Sequence, residues 1–218
     1  GWKDLPTEAF GVSYKTCTRR IDEWTDEGIW QQIHELFLAR LRGAGLLNWS
    51  RVLVDCSLVK APLGGEMRAE PTDRGKSGSK RHVVVDRKGI PLAIAQSAAN
   101  VHDSKMLEET IDAIEPIRTP HGRRRKRPTK LHADKGYDFG RCRKALRARS
   151  IIARIARRGI ESSQRLGRYR WVVERTLSWL NRYRRLRIRY ERRDDTHQAF
   201  LHLGCILICW SFLQQGFC

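Results

Sequence analysis

Five short runs of apolar and β-branched residues limit what this chain can fold into. They are SRVLVDCSLV (50–59), RHVVV (81–85), PLAIAQSAA (91–99), KLHAD (130–134) and IIARIA (151–156). DRKG joins the second and third as a tight hairpin turn, so those two strands pair antiparallel. Helical patterns separate the later runs. SKMLEETIDAIEP takes Asp103 or Ser104 as cap and Pro116 as stop; a helix over 138–149 and a long one from about Gly167 to Arg187 follow. A three-strand meander followed by β–α–β units requires a mixed sheet covered by helices, an α/β architecture. Ahead of the sheet, residues 13–43 read as two helices, with Ser13 as N-cap and Gly28 as stop. Ile29, Ile33, Leu36, Phe37 and Leu41 supply the apolar period of the second.

The chain's formal charge of +19 is unevenly spread. Residues 118–193 hold 27 Lys/Arg against 5 Asp/Glu, a net +22, whereas the remainder nets −3. A field so concentrated suits a polyanion, nucleic acid first, although a solvated basic face or an anionic-membrane patch has the same composition. With 40% apolar and 31% charged residues the chain is globular rather than disordered. Its six cysteines include no CxxC pair and no zinc-finger spacing with histidine, which suggests free thiols in a reducing, cytoplasmic compartment. Cys205 and Cys209, one turn apart in an apolar run, read as core residues. That run, CILICW, is too short to cross a bilayer and reads as part of a buried terminal helix. RGKSGSK resembles a phosphate loop, but position 70 is Glu where that loop needs Gly, which argues against nucleotide hydrolysis.

Three acids sit where structure alone would not put them. Asp55 interrupts an otherwise buried strand, costly unless it is paired or binds metal. Asp134 ends a strand of a parallel unit, the edge at which α/β sheets place ligands. Glu174 lies in RYRWVVERTLSWLNRYRR, where Val173, Leu177 and Leu180 form the core stripe and Arg170, Glu174, Ser178 and Asn181 a polar seam beside it. The three could converge on a pair of Mg²⁺ ions, which prefer hard oxygen ligands and serve phosphodiester chemistry. Two of them have a simpler reading, Asp134 as a turn residue and Glu174 as an i,i+4 partner of Arg170, and nearby Asp138 reads as a turn or cap residue, whereas Asp55 has the weakest structural alternative. Asp86 is explained by the DRKG turn, and His102-Asp103 by capping of the next helix.

As strings, VDCSLVKA, DRGKSGSKRHVVVD, PLAIAQSAANVHDSKML, LHADKGYD, IARIARRG and RWVVERTLSWLNRYRRLRIRYERR occur in the order found in bacterial insertion-sequence transposases. The chain resembles the group named for the fifth such element over about residues 2–210, and WKDLPTEAFG resembles the end of that group's helical DNA-binding region. The resemblance implies a ribonuclease-H-like mixed sheet flanked by helices, with a catalytic and metal-binding triad of Asp55, Asp134 and Glu174 and Arg170 accompanying it. It implies Mg²⁺, replaceable by Mn²⁺, and double-stranded DNA as partner: the element's terminal inverted repeats and target DNA, held by a homodimer in the nucleoid. Residues 1–48 would be a truncated DNA-binding region, 49–213 the catalytic domain and 214–218 a tail. Lys135, Arg170 and Arg175 would contact phosphates near the scissile bond, with Arg182 and Arg123, Arg124 and Arg125 along the flanking duplex. Related transposases carry Tyr and Lys where Gly167 and Asn181 stand here, with Tyr169 and Arg182 one or two positions off. The alternative function is a non-catalytic DNA-binding remnant of such an enzyme.

Overall fold

The computed structural model describes residues 2–63, 78–118, 124–125, 127–159 and 163–215. Helices α1 (Thr7–Phe10), α2 (Tyr14–Asp26) and α3 (Ile29–Gly43) come first. Strands β1 (Val52–Lys60), β2 (Gly78–Asp86) and β3 (Pro91–Ala98) form the meander, followed by α4 (Leu107–Asp112) and a two-strand ribbon of β4 (Ile117–Arg118) and β5 (Arg124–Arg125). Then come β6 (Lys130–Ala133), α5 (Gly140–Ala148), β7 (Ile152–Ile155), α6 (Ser163–Leu180), α7 (Arg184–Arg187) and α8 (Asp194–Gln215).

The main sheet has the order β3-β2-β1-β6-β7. The meander is antiparallel, while β6 lies parallel to β1 and β7 parallel to β6. This is the mixed α/β topology expected for a ribonuclease-H-like fold. The DRKG turn forms because Asp86, 1% exposed, gives one carboxylate oxygen to the N–H groups of Lys88 and Ile90 and the other to Asn48 N. Gly89 follows at φ +92°, a conformation open to glycine.

Alternate residues of the strands feed two cores. Val52, Val54, Val84 and Leu131 face α3, α4 and α5, whereas Leu53, Val83, Val85 and Ile94 face α6, α7 and α8. Helix α3, from the stretch ahead of the sheet, shares the first core through Leu38 and Leu41. Its buried seam is His34, Leu38 and Leu41, and Leu36 is exposed, so the stripe is rotated from the one that apolar spacing predicts. The rotation follows from packing: α3 lies against α8, and the His34 ring meets His202 edge-on while its Nε2 bonds Pro91 O at 3.0 Å.

The long helix expected from 167 to 187 divides instead. Helix α6 ends at Leu180, a turn follows, and α7 begins at Arg184. Arg81, 1% exposed, stands under this break. Its guanidinium donates to Ser57 Oγ, Asn181 Oδ1 and the carbonyls of Leu177 and Leu186. Helix α8 is long and apolar enough to cross a membrane, alone in this among the described residues, but half of that stretch is buried in the protein. Cys205 and Cys209 are fully buried within it.

Because Leu41 is part of the sheet's own core, Leu41→Ala should lower the free energy of unfolding by about 2–5 kcal/mol. A urea titration measures this, and a loss below about 1 kcal/mol would mean that α3 is not integral to the folded unit.

Candidate active site

Strand register brings two of the acids together. Leu53 on β1 lies opposite His132 on β6 in the parallel pair. Two residues further along each chain, Asp55 and Asp134 reach neighbouring positions on the face that carries Leu53. The Asp55 side chain is 14% exposed, and one of its oxygens accepts from Cys56 N at 2.9 Å. Asp134 directly follows β6 and opens a 3₁₀ turn, its Oδ1 accepting from Gly136 N at 2.8 Å. A Cβ at position 136 would lie 2.9 Å from that oxygen, so a side chain there would displace the Asp134 carboxylate. Asp134 is thus a turn residue as well as a candidate ligand.

Helix α6 supplies the rest. Val173, Leu177 and Leu180 are buried against the sheet, which turns Arg170 toward the strand acids. Arg170 Nη2 lies 3.2 Å from Asp55 Oδ2 and 3.4 Å from Glu174 Oε1. Its guanidinium also feels the charge of Asp134, so one cation serves three carboxylates. Burial pushes the Asp55 carboxyl above its ordinary pKa and nearby Asp134 adds to this, while Arg170 and the Cys56 N–H oppose it. Glu174, with its side chain 56% exposed, forms the solvent side of the cluster.

The other predicted residues are more dispersed. Lys135 follows Asp134, and its carbonyl accepts from Arg158 Nε at 3.1 Å. Arg175 stacks between Trp171 and Trp179 and donates to Lys88 O at 2.5 Å, which fastens α6 to the hairpin turn. Arg182 lies beyond the end of α6, in a groove with Trp179, Tyr183 and Phe212, about 12 Å along the helix axis from Glu174. The backbones of Arg124 and Arg125 form β5, and Arg123 falls outside the described residues. Tyr169 packs on the His132 ring, with the Arg51 guanidinium 4.2 Å from its own ring centre. Asn181 is taken up by Arg81 at 2.6 Å.

Asp138 lies outside the cluster, accepting from Arg143 and from Arg158 N. Asp103 and Ser104 do not cap the helix: α4 starts at Leu107 without a side-chain cap. His102 Nδ1 accepts from Ser104 N to cap the 3₁₀ turn Asp103–Lys105 ahead of it, and Asp103 is drawn to Lys80 at 2.9 Å. Sequence reasoning missed Arg81, whose only signal is a cation opening an apolar strand. It also missed a cavity of about 340 Å³ beside the triad, lined in part by His132, Tyr169, Arg143, Arg154, Arg157 and Arg170. Its four arginines suit a phosphate backbone.

Carboxylates on β1, just after its parallel neighbour β6 and on a covering helix, next to a cationic cavity, make a candidate site for phosphoryl chemistry on a mixed α/β sheet. Comparison with known proteins is specific. Residues 50–210 match the family model described as "Transposase DDE domain". The chain is 54% identical over 171 residues, 78% of its own length and 80% of the relative's, to a Burkholderia cepacia protein named "Putative transposase for insertion sequence element IS402". It is 43% identical over 65 residues, 30% of its length and 44% of the relative's, to the "Insertion element IS402 uncharacterized 16.2 kDa protein" of the same species. Among solved structures, a Mos1 transposase paired-end complex aligns at 10% identity and TM-score 0.31, over 95% of this chain and 74% of that one. A pre-cleavage Mos1 transpososome aligns at 12% and 0.32, over 96% and 73%. Both scores are too low to bear on fold or function.

The chain belongs to the DDE-domain transposase family. It is accordingly an insertion-sequence transposase, a DNA-cleaving and strand-transferring enzyme of a family that depends on divalent metal.

Because Arg170 holds the Asp55 carboxyl down against burial, Arg170→Gln should raise the Asp55 pKa further. Carboxyl-carbon NMR titration of the metal-free protein reads this directly. An unchanged or lowered value would mean that Arg170 is not the counter-charge of the site.

Proposed function

We propose that Asp55, Asp134 and Glu174 are the catalytic and metal-holding residues of this transposase, and that Mg²⁺, with Mn²⁺ as substitute, is the metal. The observation that carries this reading is Arg170 bonded to both Asp55 and Glu174 and lying within the field of Asp134. A place that gathers three hard-oxygen carboxylates around one guanidinium has the donor set that Mg²⁺ takes. Bound there, the metal supplies activation of the attacking water or 3′-hydroxyl and stabilisation of the leaving oxygen.

The chain's own groups do the remainder. Asp55, the most buried of the three, would hold the metal together with Asp134 and Glu174. Gly136 N–H orients the Asp134 carboxylate, and Cys56 N–H that of Asp55. With those acids on a metal, Arg170 would be available to hold a phosphate of the strand to be cut. Arg143, Arg154 and Arg157 in the adjoining cavity grip the phosphates that follow. Lys135 stands beside the scissile bond, Arg182 and the basic ribbon at 123–125 track the duplex, and Arg175 works indirectly by fixing α6 to the hairpin turn. The DNA is the element's inverted repeats and a target duplex, joined by a homodimer within the nucleoid. Residues 1–48 contribute DNA contacts and 49–213 the chemistry, with 214–218 as a tail.

On a labelled duplex carrying the element's end, the chain should nick DNA in Mg²⁺ and in Mn²⁺. Asp134→Ala should lose this activity by at least 10³-fold while still binding the duplex. Undiminished cleavage by Asp134→Ala would overturn the assignment. If six to ten cationic groups meet phosphates, affinity should fall by about 10³–10⁵ between 50 and 200 mM salt, which fluorescence anisotropy measures.

A further inference from the structure

Strand β1 has two faces, and the second holds a cluster that the reaction does not use. Cys56 follows Asp55 and points to the opposite side of the sheet, where its cross-strand partner is His82 on β2. Asp103, just after β3, closes over them. One donor atom from each of Cys56, His82 and Asp103 lies within 4.8 Å of the others. The Cys56 thiol hydrogen-bonds the Asp103 carboxylate, while Lys80 Nζ holds Asp103 Oδ1 at 2.9 Å and Val101 O at 3.0 Å.

The hydrogen bonds of His82 determine which of its nitrogens is available. Ser97 Oγ donates its hydrogen to Ala98 O, so toward His82 Nε2, 2.8 Å away, it accepts. With the hydroxyl hydrogen assigned to Ala98 O, Nε2 carries the ring proton and Nδ1 keeps the lone pair. His82 is fully buried, and Nδ1 has no hydrogen-bond partner among the described residues. A hydroxyl that fixes the far nitrogen of a buried imidazole is the second-sphere arrangement of a metal-ligating histidine. The Tyr137 side chain borders the same space. It is 1% exposed, its hydroxyl has no partner among the described residues, and it lies in the field of Cys56 and Asp103.

We propose that Cys56 Sγ, His82 Nδ1 and an Asp103 carboxylate oxygen form a second metal site, selective for a thiophilic divalent ion of the zinc class. Sulfur and imidazole ligands suit Zn²⁺ and not Mg²⁺, so this site is chemically distinct from the carboxylate site on the opposite face. Binding replaces the thiol proton: the Cys56 S–H bond breaks, the sulfur–metal bond forms, and one proton is released to solvent. Lys80 retains Asp103 Oδ1, leaving the second oxygen to the ion. The ion ties β1, one residue from Asp55, to the connection that follows β3.

The test uses the full chain, stripped with chelator and titrated with Co²⁺ in the absence of Mg²⁺. A thiolate-to-cobalt charge-transfer band saturating at one equivalent, abolished by Zn²⁺, is expected. Cys56→Ser should remove the band, Asp103→Asn should weaken Co²⁺ binding by at least tenfold, and Ser97→Ala by about 10–100-fold through loss of the imidazole's orientation. Cys17→Ser and Asp134→Ala should leave the band intact, since neither belongs to the cluster. The site is refuted if no thiolate band forms, or if it survives Cys56→Ser. Should Cys56→Ser fail the circular-dichroism check for folding, Ser97→Ala decides, and an unchanged affinity rejects the proposal.

Discussion

The site depends on Arg170, whose charge offsets the burial of Asp55 and, to a lesser extent, its proximity to Asp134. Here β1 and β6 bring Asp55 beside Asp134, and α6 adds Glu174. A cation is therefore required, and the fold supplies it from the same helix that supplies the glutamate. That ties the geometry of three carboxylates to the seating of α6. The seating is fixed at several points: the Val173–Leu177–Leu180 stripe on the sheet, Arg175 and Thr176 bonded to the hairpin turn, and Arg81 under the far end. Gly204 on α8 completes it, because a Cβ there would stand 2.5 Å from Leu186 Cδ1 and 3.0 Å from Leu180 Cδ2.

What was legible in the sequence follows the physics of each element. Strand order was readable because a tight turn and intervening helices leave few ways to pair the runs. Asp55 and Asp134 stood out because a carboxylate in an apolar strand has no cheap structural explanation, and Glu174 because the 3.6-residue period separates a polar seam from the core. The seam of α3 was less legible. Leu36 and Leu38 are equally apolar, and only the placement of α8 buries one and exposes the other. The break after Leu180 was hidden for a similar reason. Arg81 satisfies the carbonyls of Leu177 and Leu186 from about 100 residues away, and no local pattern announces that. Of the residues read as caps at 102–104, His102 takes the role, at the 3₁₀ turn ahead of α4, because Asp103 is drawn away by Lys80 on another strand.

Alternation along β1 explains how one strand can carry two unlike sets of donors. Asp55 faces α6 together with hard oxygen ligands, while Cys56 faces the opposite core together with an imidazole and a thiol-bonded carboxylate. Adjacent residues thus enter different chemical environments without competing. The Cys56 N–H, which donates to the Asp55 carboxylate, is the covalent and hydrogen-bonded link between them. Any ion that stiffens the second face also fixes the peptide that orients Asp55.

The distribution of charge gives the last step. The stretch 118–193 carries a net +22, yet the candidate site beside it is acidic. The outer field draws a polyanion toward the protein, and the arginine-lined cavity beside the triad offers it a place. At the centre itself, a phosphate meets carboxylates whose one cation is already shared among them. On the proposed reading, a divalent ion held by these acids would neutralise them and leave Arg170 free for a phosphate. Metal and DNA binding would then reinforce one another, because the acids that oppose a polyanion are the ones the ion would cover.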